Sequence, residues 1–139
     1  MKVRKHHAEI RALGAEVLAI GQGTGREAAD FCGEVGVSFP CVGDPDHESY
    51  REYGLGRTHF LSMILRPFVT APALAWRRSR RANLDRARSP HSDVLQLPGV
   101  IVVDTQGMIR FQHRSVDTDD FPEIRLVMDA LHEARTPLA

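Results

Sequence analysis

The sequence predicts an α/β sandwich, and three observations carry that prediction. Short apolar runs alternate with amphipathic stretches of helical period through the first half of the chain. Glycines and capping pairs stand where those helices should start and stop. The chain then closes with a hairpin pattern and one further amphipathic helix. Its 139 residues are one domain by length and enough to enclose a core. Residues 1–139 are therefore read as a single unit, with an irregular, partly helical insert at 55–95.

The elements follow in order. Residues 3–13, VRKHHAEIRAL, place Val3, Ile10 and Leu13 on one helical face with His7 between them, and Gly14 supplies the stop. EVLAI, 16–20, is a short, nearly continuous apolar run between two helices, which reads as a buried parallel strand. After GQGTGRE, Thr24 and Glu27 have the spacing of a capping box. The helix they open carries Ala28, Phe31, Cys32 and Val35 on one stripe and ends at Gly36, so Cys32 is expected to face the core. VSFPCV, 37–42, is a second extended piece, closed by the turn-forming GDPD. HESYREYG gives a short helix with Tyr50 and Tyr53 three apart and Gly54 as its stop. VIVVD and MIRFQHR, joined by TQG, read as a hairpin in which Gly107 supplies a positive φ. Asp120 and Glu123 repeat the capping-box spacing, with Pro122 in the first turn. The helix beyond them has Ile124, Val127, Met128 and Leu131 on its apolar face.

Hydrophobic residues make up 42% and charged residues 26% of the chain, the balance of an ordinary soluble protein. Formal net charge is zero, yet its distribution is uneven. Residues 57–90 hold eight arginines and one acid, Asp85, for +7, which leaves −7 on the rest. The longest apolar run, 60–76, is broken by Arg66, Pro67 and Pro72, whereas a spanning helix wants about 20 mostly apolar residues. A transmembrane helix is therefore not expected. Two cysteines do not make a disulfide scaffold. With no signal peptide ahead of them, a reduced, cytoplasmic setting is the expectation.

AEVLAIGQGT, FC with GVSFPCVGDPD, YREYGLG, and LQLPGVIVVDTQGMIRFQHRS stand in an order and spacing that resembles a known family. It is the peroxiredoxin-like branch of the AhpC/TSA proteins, alkyl hydroperoxide reductases and thiol-specific antioxidants, and the likeness runs from residue 3 to residue 131. The resemblance implies a thioredoxin-like sandwich with a C-terminal hairpin and helix, here truncated at the N-terminus and carrying an Arg-rich helical insert. It implies thiol-dependent antioxidant or oxidoreductase chemistry on peroxides or on the disulfides of proteins and small thiols, with no cofactor. The family pattern also places a strand and a Cys-x-x-Cys motif ahead of the helix of which VRKHHAEIRALG is the remainder. Met1 falls just past that point, so no residue here takes the role of peroxidatic cysteine, and the chain as given is expected to be inactive. On this reading the central strand belongs between EVLAI and the hairpin. An upstream start, a strand donated by another chain, or re-pairing across the gap would each answer its loss, and the first is favoured. Pro98, in LQLPGVIVVD, stands where thioredoxin-like folds hold a cis-proline facing the redox site.

If any activity survives, Cys41 or Cys32 must carry it, as a resolving or regulatory dithiol. The residues themselves favour packing. Cys32 falls near a helix C-terminus, where the dipole disfavours a thiolate. Cys41 follows Pro40 in an extended piece, and free cysteine is among the most often buried residue types. A disulfide stays open, because helix-to-strand packing can bring two Cα atoms within the roughly 7 Å such a bond needs.

The remaining constellations are weaker. Seven histidines show no pair-plus-pair spacing, so they read as solvated or helix-surface residues and no metal is expected. GQGTG lacks the lysine of a P-loop and has Arg26 where GxGxxG needs glycine. Arg77, Arg78, Arg80 and Arg81, with Arg86, Arg88 and Trp76 nearby, are candidates for anion binding. They support an alternative function: a non-catalytic thioredoxin-like module whose basic insert engages an anionic partner or a membrane surface. The plainer reading is a solvated helical insert paired with acids of the chain. No nucleic-acid partner is expected, and a homodimer is left open.

Overall fold

A computed structural model of the chain describes residues 2–59, 93–117 and 120–135. Most of the insert, with Arg77, Arg78, Arg80 and Arg81, lies outside the described residues.

The first predicted helix forms as two pieces, α1 (Lys2–Lys5) and α2 (His7–Ala12), separated at His6, whose φ of −105° and ψ of 10° leave the helical region. Strand β1 (Ala19–Gly21) pairs in parallel with β2 (Cys41–Gly43), with Ala19 opposite Cys41, Ile20 opposite Val42 and Gly21 opposite Gly43. Both strands begin later than the apolar runs that predicted them. Val17 donates its N–H to the Glu16 carboxylate at 3.0 Å, and the ladder starts only where Ala19 N–H meets Pro40 O at 2.9 Å. The expectation that β1 is buried on both faces is also corrected. Leu18, Ile20 and Val42 are exposed, while helix α3 packs on β2.

Helix α3 (Gly25–Val35) starts as predicted: Thr24 Oγ1 accepts from Glu27 N–H, and Glu27 Oε2 accepts from Thr24 N–H at 2.8 Å. It stops at Gly36, whose φ of 67° is readily open only to glycine. Phe31, expected on the buried stripe, is 45% exposed, whereas Ala28 is buried. At ~100° per residue Phe31 sits about 60° from Ala28, off the line of Ala28, Cys32 and Val35 that faces the strands. Helix α4 (Glu48–Glu52) is initiated by Asp44, whose carboxylate accepts from Glu48 N–H and Ser49 N–H at 2.9 and 2.8 Å.

Strands β3 (Gly99–Val103) and β4 (Ile109–Arg114) form the predicted antiparallel hairpin, and Gly107 has φ 82° in its turn. Asp104 holds that turn: Oδ1 accepts from Gln106 and Met108 N–H, and Oδ2 from the Arg110 guanidinium. Helix α5 (Ile124–Arg135) packs across the hairpin, burying Val102, Val127 and Ala130 with Val100, Phe111, Ile124 and Leu131 around them. The capping box predicted from Asp120 and Glu123 does not form. Asp120 turns back instead, taking Val116 N–H on Oδ2 and the Ser115 hydroxyl on its carbonyl, so the helix begins at Ile124.

The two strand pairs share no ladder; each is a separate two-stranded sheet. The segment around α4 connects them. The Tyr50 hydroxyl donates to Ile20 O of β1 at 3.1 Å, and Gln112 Nε2 of β4 donates to Tyr53 O at 2.8 Å. The stems of the insert also meet, through an antiparallel bridge between Arg57 and Gln96 and a Thr58 N–H to Leu95 O bond of 2.8 Å.

Candidate redox site

The two cysteines are brought together by the packing of α3 on β2. Cys32 lies in the last turns of α3 and Cys41 is the first residue of β2. Their Cα atoms stand 6.6 Å apart and their sulfurs are joined in a disulfide. Of the alternatives the sequence left open, packing or a disulfide, the disulfide forms; both residues are half-buried and neither sulfur is free. Among the described residues the chain's interior is made instead by Ile10, Ala28, Phe39, Leu97, Val102, Val127 and Ala130.

Several contacts fix the geometry. Gly43, at the far end of β2, packs against the backbone of Gly23, Thr24 and Gly25, so the strand runs tight under the start of α3. Pro40 O, just before Cys41, is held by Ala19 N–H, and Cys32 O accepts from Val37 N–H at 3.1 Å. The glycines of GQGTG thus serve a close backbone approach, and Glu27 already occupies the turn through Thr24.

Electrostatically the two sulfurs differ. Cys32 sits at the negative pole of α3, which opposes its thiolate. Arg4 of α1 donates to Val35 O at that same pole and offsets part of it. Cys41 Sγ lies 3.6 Å from Phe39 O, an acceptor for its thiol proton once the bridge is open. The Arg4 contact was not legible in the sequence, because it joins residues 31 apart.

A family model described as AhpC/TSA antioxidant enzyme matches residues 2–117. The chain belongs to the AhpC/TSA, thioredoxin-like family. No curated protein matches it. The α/β content and small sheets of this AhpC/TSA chain agree with that membership.

Pro98 is not brought to the cysteines by any contact described. It precedes β3, in the other sheet, and the bond from Leu97 is trans, as are all peptide bonds among the described residues. This corrects the expected cis form. Trans is the lower state of an X–Pro bond by about 0.5–1 kcal/mol. Leu97 N–H to Gly56 O and Ser115 N–H to Pro98 O hold the backbone on both sides of it. Among the described residues no helix of this AhpC/TSA chain is long and apolar enough to cross a membrane.

Proposed function

We propose that this AhpC/TSA-family chain performs thiol-dependent redox exchange with Cys32 and Cys41 as its dithiol–disulfide couple. The observation that carries the reading is their bonding, which places each sulfur within reach of the other. In the reduced protein one thiolate attacks a peroxide oxygen, the O–O bond breaks, and the sulfur becomes sulfenic acid while an alcohol or water leaves. The second thiol then attacks that sulfur and expels water, forming the disulfide. An external thiol reductant reopens it by way of a mixed disulfide.

The helix pole, partly offset by Arg4, supports one order over the other. The helix pole disfavours a Cys32 thiolate, so Cys41 is the attacking sulfur and Cys32 the resolving one. With no helix N-terminus behind Cys41 among the described residues, the peroxide step runs at the pace of an ordinary thiol. The separation of the two sheets supports a further strand between β1 and β3, where the family pattern has one.

The test is a peroxide-consumption assay on the pre-reduced protein. Wild type should re-form the disulfide, Cys41→Ser should lose peroxide consumption, and Cys32→Ser should leave a sulfenic acid that dimedone traps on Cys41. Unchanged consumption in both variants, or thiols that fail to reoxidise with peroxide, would sink the assignment and favour a non-catalytic module.

A further inference from the structure

His7, Ser38 and Glu16 come from three separate parts of the chain: helix α2, the approach to β2 and the approach to β1. Their side chains meet in a line. The His7 ring is buried, 8% exposed, and packs edge-on against Phe39 with ring centroids 5.2 Å apart. Its Nε2 lies 2.9 Å from Glu16 Oε1, and its Nδ1 lies 2.8 Å from Ser38 Oγ. For His7 this corrects the reading of the histidines as solvated or helix-surface residues.

Glu16 is itself held in place. Its Oε1 accepts from Val17 N–H at 3.0 Å, and Arg11 Nε stands 3.6 Å from Oε2. The His7 bond first, and then the Val17 bond, hold its carboxyl below the usual carboxylate range, so it is ionised at neutral pH. A carboxylate can only accept, so a neutral His7 carries its proton on Nε2. That leaves the Nδ1 lone pair facing the Ser38 hydroxyl. Ser38 is exposed to solvent, while the base behind it is shielded. A mere clasp between α2 and the strand approaches would need the hydrogen bonds alone. Here the chain of donors and acceptors runs from a fixed acid, through a buried base, to an accessible hydroxyl.

We propose that Ser38 is a nucleophile for acyl transfer from activated esters, with His7 as its general base and Glu16 as the residue that positions the ring. Ser38 Oγ bonds to the acyl carbon as its proton passes to His7 Nδ1. The ester C–O bond breaks, and the leaving alcohol or phenol takes that proton. A water, giving its proton to the same nitrogen, then bonds to the acyl carbon; the acyl–Oγ bond breaks, the proton passes from His7 to Ser38 Oγ, and the carboxylic acid leaves. The substrate class is small acyl esters with good leaving groups, because the acceleration available from such a base is about 10²–10⁴-fold.

The experiment uses the whole chain with its disulfide intact, p-nitrophenyl acetate as substrate and a fluorophosphonate as covalent label. The label is expected on Ser38 by peptide mapping, and Ser38→Ala should lower kcat/KM by about 10²–10⁴-fold. His7→Ala should lose activity likewise and regain it with added imidazole. Should that variant fail to fold, the exposed Ser38 keeps the test decisive. Glu16→Gln should lower kcat more than KM, with part regained in Glu16→Asp. Absence of label on Ser38, or wild-type hydrolysis by Ser38→Ala, overturns the proposal and leaves the three residues a structural clasp.

Discussion

Glu16 shows how a single exposed side chain ties stability to pH. Its folded-state carboxyl is held below its ordinary value of 4.5, chiefly by His7. A lowered folded pKa adds stability above the unfolded value, and that stability is lost as pH falls through the folded one. The urea midpoint of wild type should therefore exceed that of Glu16→Gln at neutral pH, and the gap should close on acidification below 4.5. A gap that stays constant with pH would place the effect elsewhere. Gly43 gives a second prediction at this scale. A Cβ there would meet the backbone of Gly23, Thr24 and Gly25, which cannot step aside as a side-chain tip can. Gly43→Ala should cost about 1–3 kcal/mol by overpacking, read from denaturant unfolding. In the sequence Gly43 looked like part of the GDPD turn, since close approach between residues 20 apart leaves no local pattern. His7 is legible in the sequence as a buried residue. Its register with Val3 and Ile10 put it on the apolar face, and that signal was sufficient to expect burial.

Among the elements, those governed by neighbours in sequence were read well and those governed by distant partners were not. The Thr24–Glu27 box, the Gly36 stop and the Gly107 turn each depend on a few adjacent residues, and each is present. The strand bounds failed because a ladder begins where its partner begins, at Pro40 and Ala19. Asp120 had the right spacing for a cap, but its carboxylate accepts from Val116 N–H instead. The joining of α3 to β2 carries its own energetic prediction. A covalent link closing so short a loop contributes about 2–3 kcal/mol by the chain-entropy account. Reduction without other change should lower the unfolding free energy by that amount. An unchanged urea midpoint on adding reductant would show that the link constrains nothing the fold does not already hold.

For the whole molecule, the consequence of two unjoined sheets is uneven protection. The hairpin and α5 enclose Val102, Val127 and Ala130, whereas Leu18, Ile20 and Val42 lie open on the first sheet. Amide exchange should thus be slowest in β3, β4 and α5 and faster in β1 and β2. Equal exchange in both pairs would mean that they open as one unit. The sequence foretold an α/β chain, but not that Tyr50 would cap Ile20 O. Burial, followed by the nearby Asp44 carboxylate, also raises the Tyr50 hydroxyl above its usual pKa. The tie between Cys32 and Cys41 has a reciprocal meaning. Whatever the bridge lends the fold, the fold must return to the bridge, because both are legs of one thermodynamic square. At about 30 mV for each 1.4 kcal/mol, a contribution of about 2–3 kcal/mol makes the pair roughly 40–65 mV harder to reduce when folded than in the unfolded chain. Loosening α3 from β2 by any means would then shift the couple's electron affinity, and the protein's tertiary order would be a dial on its redox poise.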